Sequence, residues 1–101
     1  GWSLMSLPEQ LANIGAEVGR AAKWQRKDDD KFKGAVERAL DLFDLTIKDE
    51  RWKGRLFEIK QVRELFLDDI AGRNEYRTDL SDLEKYFYPF MNLVARGYQM
   101  Q

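Results

Sequence analysis

Arg63 falls on an apolar stripe made by Trp52, Leu56, Ile59, Val62, Phe66 and Ile70. A guanidinium placed there needs a partner, because an isolated buried charge costs many kcal/mol. Asp41 and Asp44 on the preceding helical segment, or Glu64 beside it, are the candidates. An internal ion pair, or a side chain reaching to the bundle edge, is the plain reading. An anion-binding or catalytic arginine is the alternative.

The run Asp28-Asp29-Asp30 invites a metal site. An EF-hand loop also needs a glycine and a distant glutamate at fixed spacing, and neither follows, so the run reads as a solvated helix start. Arg20, Lys23, Trp24, Arg26, Lys27, Lys31 and Lys33 gather around one turn with a single aromatic. Nucleic-acid binding wants such residues on one continuous face. Here three aspartates interrupt them and a helix dipole explains the cations, so nucleic acid is not the expected partner. The chain has no cysteine and no histidine. Thiolate chemistry, the commonest general base and the commonest transition-metal ligand are therefore missing. Glu-x-x-His di-metal sites of helical bundles are closed by the same absence. Only carboxylates, lysine, tyrosine or serine could act, and no convergent pair stands out. The expectation is no enzyme, no cofactor and no metal.

Four segments of helical spacing must position these groups, and none shows sustained strand alternation. The first covers 6–26, opened by a Ser6/Glu9 capping box with Pro8 in its first turn. Leu7, Leu11, Ile14, Val18 and Ala22 form its stripe, beside a row of small residues, Ala12, Gly15 and Gly19, that would let another helix approach closely. The second covers 29–48, with Phe32, Val36, Ala39, Phe43 and Ile47 facing inward and Leu45 on the opposite side. The third is expected over 50–71, capped by Asp49 and ended by Gly72 in the left-handed conformation. The fourth starts at 80 or 82 and runs to 96, with Thr78, Asp79 and Ser81 as candidate caps and Ser81/Glu84 as a second capping box. Connections of two or three residues make successive long helices antiparallel. The fold class is therefore all-α, an up-down-up-down four-helix bundle.

With 101 residues there is one domain and one core. Residues 1–5 read as a remnant preceding the fold, and 6–101 as a single helical-bundle domain. Lys plus Arg (17) nearly balance Asp plus Glu (18), so no global field recruits nucleic acid or an acidic membrane surface. No run approaches the roughly 20 apolar residues of a membrane span. The lack of cysteine favours a cytoplasmic setting.

The segment EKYFYPFMNLV (84–94) carries more apolar surface than one helix face can bury. With Leu83, Phe87, Phe90 and Val94 turned inward, Tyr86, Tyr88, Met91, Leu93 and Tyr98 remain, and Pro89 should kink the helix and leave the Lys85 carbonyl unbonded. Phe57 and Leu65 add to this surplus on the third helix. Aromatic and methionine side chains interspersed with Arg and Asn have the composition of protein interfaces. Phe57, Leu65, Tyr88, Met91 and Tyr98 are the expected anchors for another protein or for a second copy of the chain.

Two resemblances bear on this. Leu11 to Val18 (LANIGAEV) is similar to the ligand helices that dock into the grooves of apoptosis regulators, with Leu11, Ile14 and Val18 as anchors, but Ala16 stands where that motif has an aspartate; the same residues make an ordinary core stripe. Over residues 7–90 the chain resembles small all-helical prokaryotic proteins of uncharacterised activity, through LANIGAEVGRA, RALDLFDLTIKDERWKGRL, RNEY and EKYFYPF. Helical HEPN-type proteins share this architecture, but their RNase motif requires a histidine absent here. In the resembling proteins the positions of Phe57 and 89–95 are more polar or smaller, which implies a natural scaffold resurfaced for contact, such as an engineered binder. The expected function is a protein-interaction module on helices three and four. The alternative is a small-molecule or nucleotide-handling bundle centred on Arg63 and the helix-two aspartates.

Overall fold

Ser6 and Glu9 start the first helix by satisfying each other's backbone. Glu9 N–H donates to Ser6 Oγ at 3.3 Å, and Ser6 N–H donates to Glu9 Oε1 at 3.1 Å. The computed structural model describes residues 1–72 and 79–97. It contains α1 (Leu7–Trp24), α2 (Asp29–Lys48), α3 (Leu56–Ala71) and α4 (Leu80–Ala95), with short 3₁₀ turns at Trp2–Leu4 and Glu50–Arg55. The described residues include no strand. α1 packs extensively against α2 and α4, while α3 meets α2 and α4 more sparsely. This is the cyclic neighbour order of an antiparallel four-helix bundle, with α3 across from α1.

The uneven packing follows from side-chain size. Gly15 and Gly19 lie where α4 crosses α1, and Ala35 and Ala39 of α2 are fully buried, so these backbones close up. α3 stands further off, and rings fill the gap: Phe43 of α2 sits 5.8 Å from Phe66 of α3 and 6.3 Å from Phe87 of α4, centroid to centroid. All three rings are buried, together with Leu11, Ile14, Val18 and Ile59. Leu11, Ile14 and Val18 are therefore core, unavailable as anchors for an external groove.

Helix ends match the expected caps in part. Asp28 accepts from Lys31 N–H at 3.1 Å and starts α2. Gly72 ends α3 at φ 71°, the left-handed conformation that suits glycine. α1 stops at Trp24, short of 26, and Arg26 takes φ 64° in the turn. In α4 the capping box is Asp79/Asp82, with Asp82 N–H donating to Asp79 Oδ1 at 2.8 Å, so the expected Ser81/Glu84 box does not form. Thr78 lies outside the described residues. α4 continues through Pro89, whose ring is exposed on the outer side.

The third helix departs most. It begins at Leu56, and Glu50–Arg55 form a 3₁₀ turn in which Trp52 has non-helical φ −105° and ψ 21°. Asp49 caps this turn by accepting from Arg51 N–H at 3.1 Å. At this break sits a polar knot around Gln10, which is fully buried. Its Oε1 accepts from Thr46 Oγ1 and Trp52 Nε1, each at 3.0 Å. Its Nε2 donates to Asp49 Oδ2 at 3.0 Å and to the Trp2 carbonyl at 3.2 Å. Pulling the Trp52 indole back toward α1 requires a break from regular helix. The same knot orders the start of the chain: Trp2–Leu4 is a 3₁₀ turn, and Arg51 Nη2 donates to the Met5 carbonyl at 2.9 Å. Through the Trp2 and Met5 carbonyls the start of the chain meets α1 and the 3₁₀ turn at Glu50–Arg55.

Candidate functional site

Glu17 sits on the α2-facing flank of α1, and its carboxylate is only 8 % exposed. A buried carboxylate must be paired, and two arginines pair it. Arg20 Nη1 donates to Oε1 from the next turn of α1, and Arg38 Nε donates to Oε2 from α2. Both arginine side chains remain more than half in water. Two adjoining grooves share these arginines as a common wall. One, of about 330 Å³, is lined by Arg20, Trp24, Asp30, Lys31, Gly34 and Arg38. The other, of about 390 Å³, is lined by Asn13, Ala16, Glu17, Arg20, Arg38, Asp41 and Leu42. Lys31 Nζ stands 4.2 Å and Lys23 Nζ 4.9 Å from the Trp24 ring centre, close enough for cation–π attraction.

Arg63 Nε donates to Asp44 Oδ1 at 3.0 Å across the α2–α3 seam. Asp41, the other candidate partner, lines the second groove instead. The Arg63 side chain is 26 % exposed and Asp44 48 %, so neither is fully desolvated. Exposed pairs of this kind contribute about 0–1 kcal/mol. Arg63→Met is therefore expected to change the unfolding free energy by less than about 1 kcal/mol in urea titration. A loss of 3 kcal/mol or more would mean a buried charge left unpaired.

The four expected anchors among the described residues do not form one surface. Phe57 is 84 % exposed. Along α3, Arg63 marks the side facing α2, and Glu58, which accepts from Tyr86 Oη at 3.1 Å, marks the side facing α4. Phe57 lies opposite buried Ile59 and Phe66, among exposed Lys60, Gln61 and Glu64. Along α4, Glu84 and Met91 face Gly19 and Gly15 of α1. Tyr88, 44 % exposed, lies on the outer side toward α1. Phe57 and Tyr88 thus leave the bundle on different faces. Leu65 and Met91 are not free anchors: both are half-buried and pack against the core, because their helical positions border the α3–α4 and α1–α4 seams. Tyr98 lies outside the described residues. Val94, expected to turn inward, is 38 % exposed in the last turn of α4.

Four of the five exposed large apolar side chains among the described residues, all but Tyr88, nevertheless share one end of the molecule. Gln10 joins the start of α1 to the end of α2, and Gly15 against Phe87 brings the C-terminal half of α4 to the same level. Leu4, Leu45, Phe57 and Val94 all lie within a turn of the element ends that meet there. The opposite end carries Arg26, Lys27, the three aspartates 28–30, Asp79 and Asp82.

Tyr86 closes the α3–α4 seam, its ring edge-on to Phe87 at 5.0 Å. Burial, followed by the nearby Glu58 carboxylate, pushes its phenol up to about 12. Among the described residues no three acidic side chains converge in a geometry that could hold a metal ion, and no helix is long and apolar enough to cross a membrane. Sequence reasoning missed Glu17 and Gln10. The available signal was that each is a polar residue beside the apolar stripe of α1, where its neighbours are buried.

Comparison with protein-family models, with curated proteins and with solved structures finds no match to the chain.

Proposed function

We propose that the protein is a docking module that binds another protein, without catalysis, through the bundle end where Leu4, Phe57 and Val94 are exposed. The observation that carries this reading is Phe57, 84 % exposed in the first turn of α3 and flanked by Lys60, Gln61 and Glu64. Burying such a ring in a partner pocket contributes about 1.5–3 kcal/mol, and aromatic anchors with polar surroundings dominate interface energetics. A different protein fits better than a second copy. Both grooves of the α1–α2 face are lined mainly by charge and offer a second copy's Phe57 no apolar pocket. The cytoplasm is the proposed setting, as the cysteine-free composition favours.

A photoreactive phenylalanine analogue at position 57, compared with the same group at Lys33 on the opposite end, tests the reading in extracts of the native host. The expected result is a discrete heterologous adduct from position 57 alone, abolished when Leu4 and Val94 are changed to serine. Equal labelling from both positions, or none, overturns it; an adduct at twice the chain mass redirects it to self-assembly. Phe57→Ser should leave the melting temperature within about 2 °C, because the ring touches little of its own chain.

A further inference from the structure

We propose that the groove at the junction of α1 and the N-terminal half of α2 is a binding site for a small organic phosphate carrying a flat ring. Four observations converge on it. First, the groove of about 330 Å³ is lined by three cations, Arg20, Lys31 and Arg38, against two carboxylates, Asp30 in its wall and Glu17 behind the arginines, so positive charge is in excess. Its volume is within the range of small-ligand sites. Second, the two guanidiniums are held in place before any ligand arrives. Glu17, almost wholly buried, takes one N–H from each, and this fixes their planes while leaving them more than half exposed. Donors fixed in advance lose less conformational freedom on binding. Third, Glu17 takes one N–H from each guanidinium, and each arginine keeps further N–H donors for a ligand. Arg38 also lies over bare backbone: a Cβ at Gly34 would stand 3.1 Å from its Nη1. Fourth, the half-buried Trp24 forms one wall, and its ring, on which Lys31 and Lys23 rest, is uncovered for the organic part of a ligand when Lys31 turns to the phosphate.

The division of labour follows from this chemistry. The paired N–H forks of arginine match phosphate oxygens in plane and spacing, and Lys31 adds a point charge from the α2 side. A bare inorganic ion would use the cations alone. A ring attached to the phosphate would also cover Trp24, so the site should prefer a phosphate ester to the free ion. Glu17 acts here as a positioning residue: it orients the arginines and would not touch the ligand.

Phenyl phosphate is the probe, titrated into the full chain at low salt while backbone and arginine Nε resonances are followed by NMR. The expected result is saturable shifts confined to residues around Arg20, Trp24, Lys31, Gly34 and Arg38, with inorganic phosphate binding several-fold more weakly. Arg38→Gln should weaken binding about tenfold or more, consistent with losing a charge-assisted contact. Lys31→Met, an exposed change that leaves the Glu17 clamp intact, should weaken it by a smaller factor with no change in melting temperature. Shifts that do not saturate by about 10 mM, that scatter over all basic residues, or that persist unchanged in both variants overturn the proposal. Equal affinity for phenyl phosphate and inorganic phosphate would overturn the role of Trp24 and of the ester.

Discussion

Replacing Gly15 with alanine lowers the unfolding free energy by about 1–3 kcal/mol, the range of an overpacked core. The sign is the opposite of the usual one, since alanine inside a helix is favoured over glycine by up to about 1 kcal/mol. It reverses because a Cβ at position 15 would stand 2.5 Å from Phe87 Cβ and 2.9 Å from Phe87 Cγ. Those atoms sit next to the α4 backbone, and Phe87 is fully buried against Phe43 and Tyr86, so no rotamer change clears the space. α4 itself must move away from α1, along the seam that carries most of its packing. Gly19→Ala is the internal control. Its nearest obstacle is Glu84 Oε2 at 2.7 Å, the end of a flexible side chain that can swing into water, so the substitution should be neutral or slightly stabilising. Thermal and urea unfolding of both variants check this, with a melting-temperature loss of roughly 4–8 °C per kcal/mol for a chain this short. Equal responses at 15 and 19 would mean that the close α1–α4 approach is not what holds α4 in place.

That approach was legible in the sequence, since Ala12, Gly15 and Gly19 recur on one flank of the α1 stripe. Legible too were the helix count, the Ser6/Glu9 box, the left-handed Gly72 and the exposed positions of Leu45 and Phe57, because each depends on residues within one or two turns. The errors arise where the deciding partner is remote. Leu65 and Met91 lie at the borders of their buried faces, where coverage depends on how close the neighbouring helix comes. Glu17 looks like a solvated carboxylate until Arg38, 21 residues away, is brought against it. Ser81 and Asp79 both offer caps, and the choice of Asp79 sets α4 to begin at Leu80. The third helix started late for the same reason. Periodicity continues smoothly from Trp52 into Leu56, and nothing in that pattern registers a glutamine 42 residues upstream that claims the indole N–H.

Gln10 should be the polar residue whose loss is felt most. Gln10→Leu keeps the volume but strips Thr46 Oγ1 and Trp52 Nε1 of their acceptor and Asp49 of one donor. A buried polar group left without a partner costs about 1–3 kcal/mol. Thr46 is fully buried, while Trp52 and Asp49 retain some access to water, so the expected loss is about 3 kcal/mol. Adding Thr46→Val replaces both ends of the innermost bond with apolar groups, and the double variant should recover at least about 1 kcal/mol relative to simple additivity. Trp52 should also become more solvent-exposed, seen as a red shift of its fluorescence with Trp2 and Trp24 replaced. Asp49 supplies an independent readout. The Arg51 side chain holds its carboxyl well below the usual carboxylate range, with Gln10 assisting, against the opposing effect of burial. A carboxyl depressed in the folded state stabilises the fold above its unfolded value near 4 and loses that contribution as pH falls through the folded value. Stability should therefore drop with acid below about pH 4, and Asp49→Asn should flatten that limb. If Asp49→Asn flattens the limb while Gln10→Leu leaves stability within about 1 kcal/mol of wild type, the corner where the chain start, α1, α2 and the 3₁₀ turn meet is held by Arg51 from outside. If Gln10→Leu is costly and Thr46→Val repairs part of the loss, it is held from within, and the late start of α3 follows from Gln10.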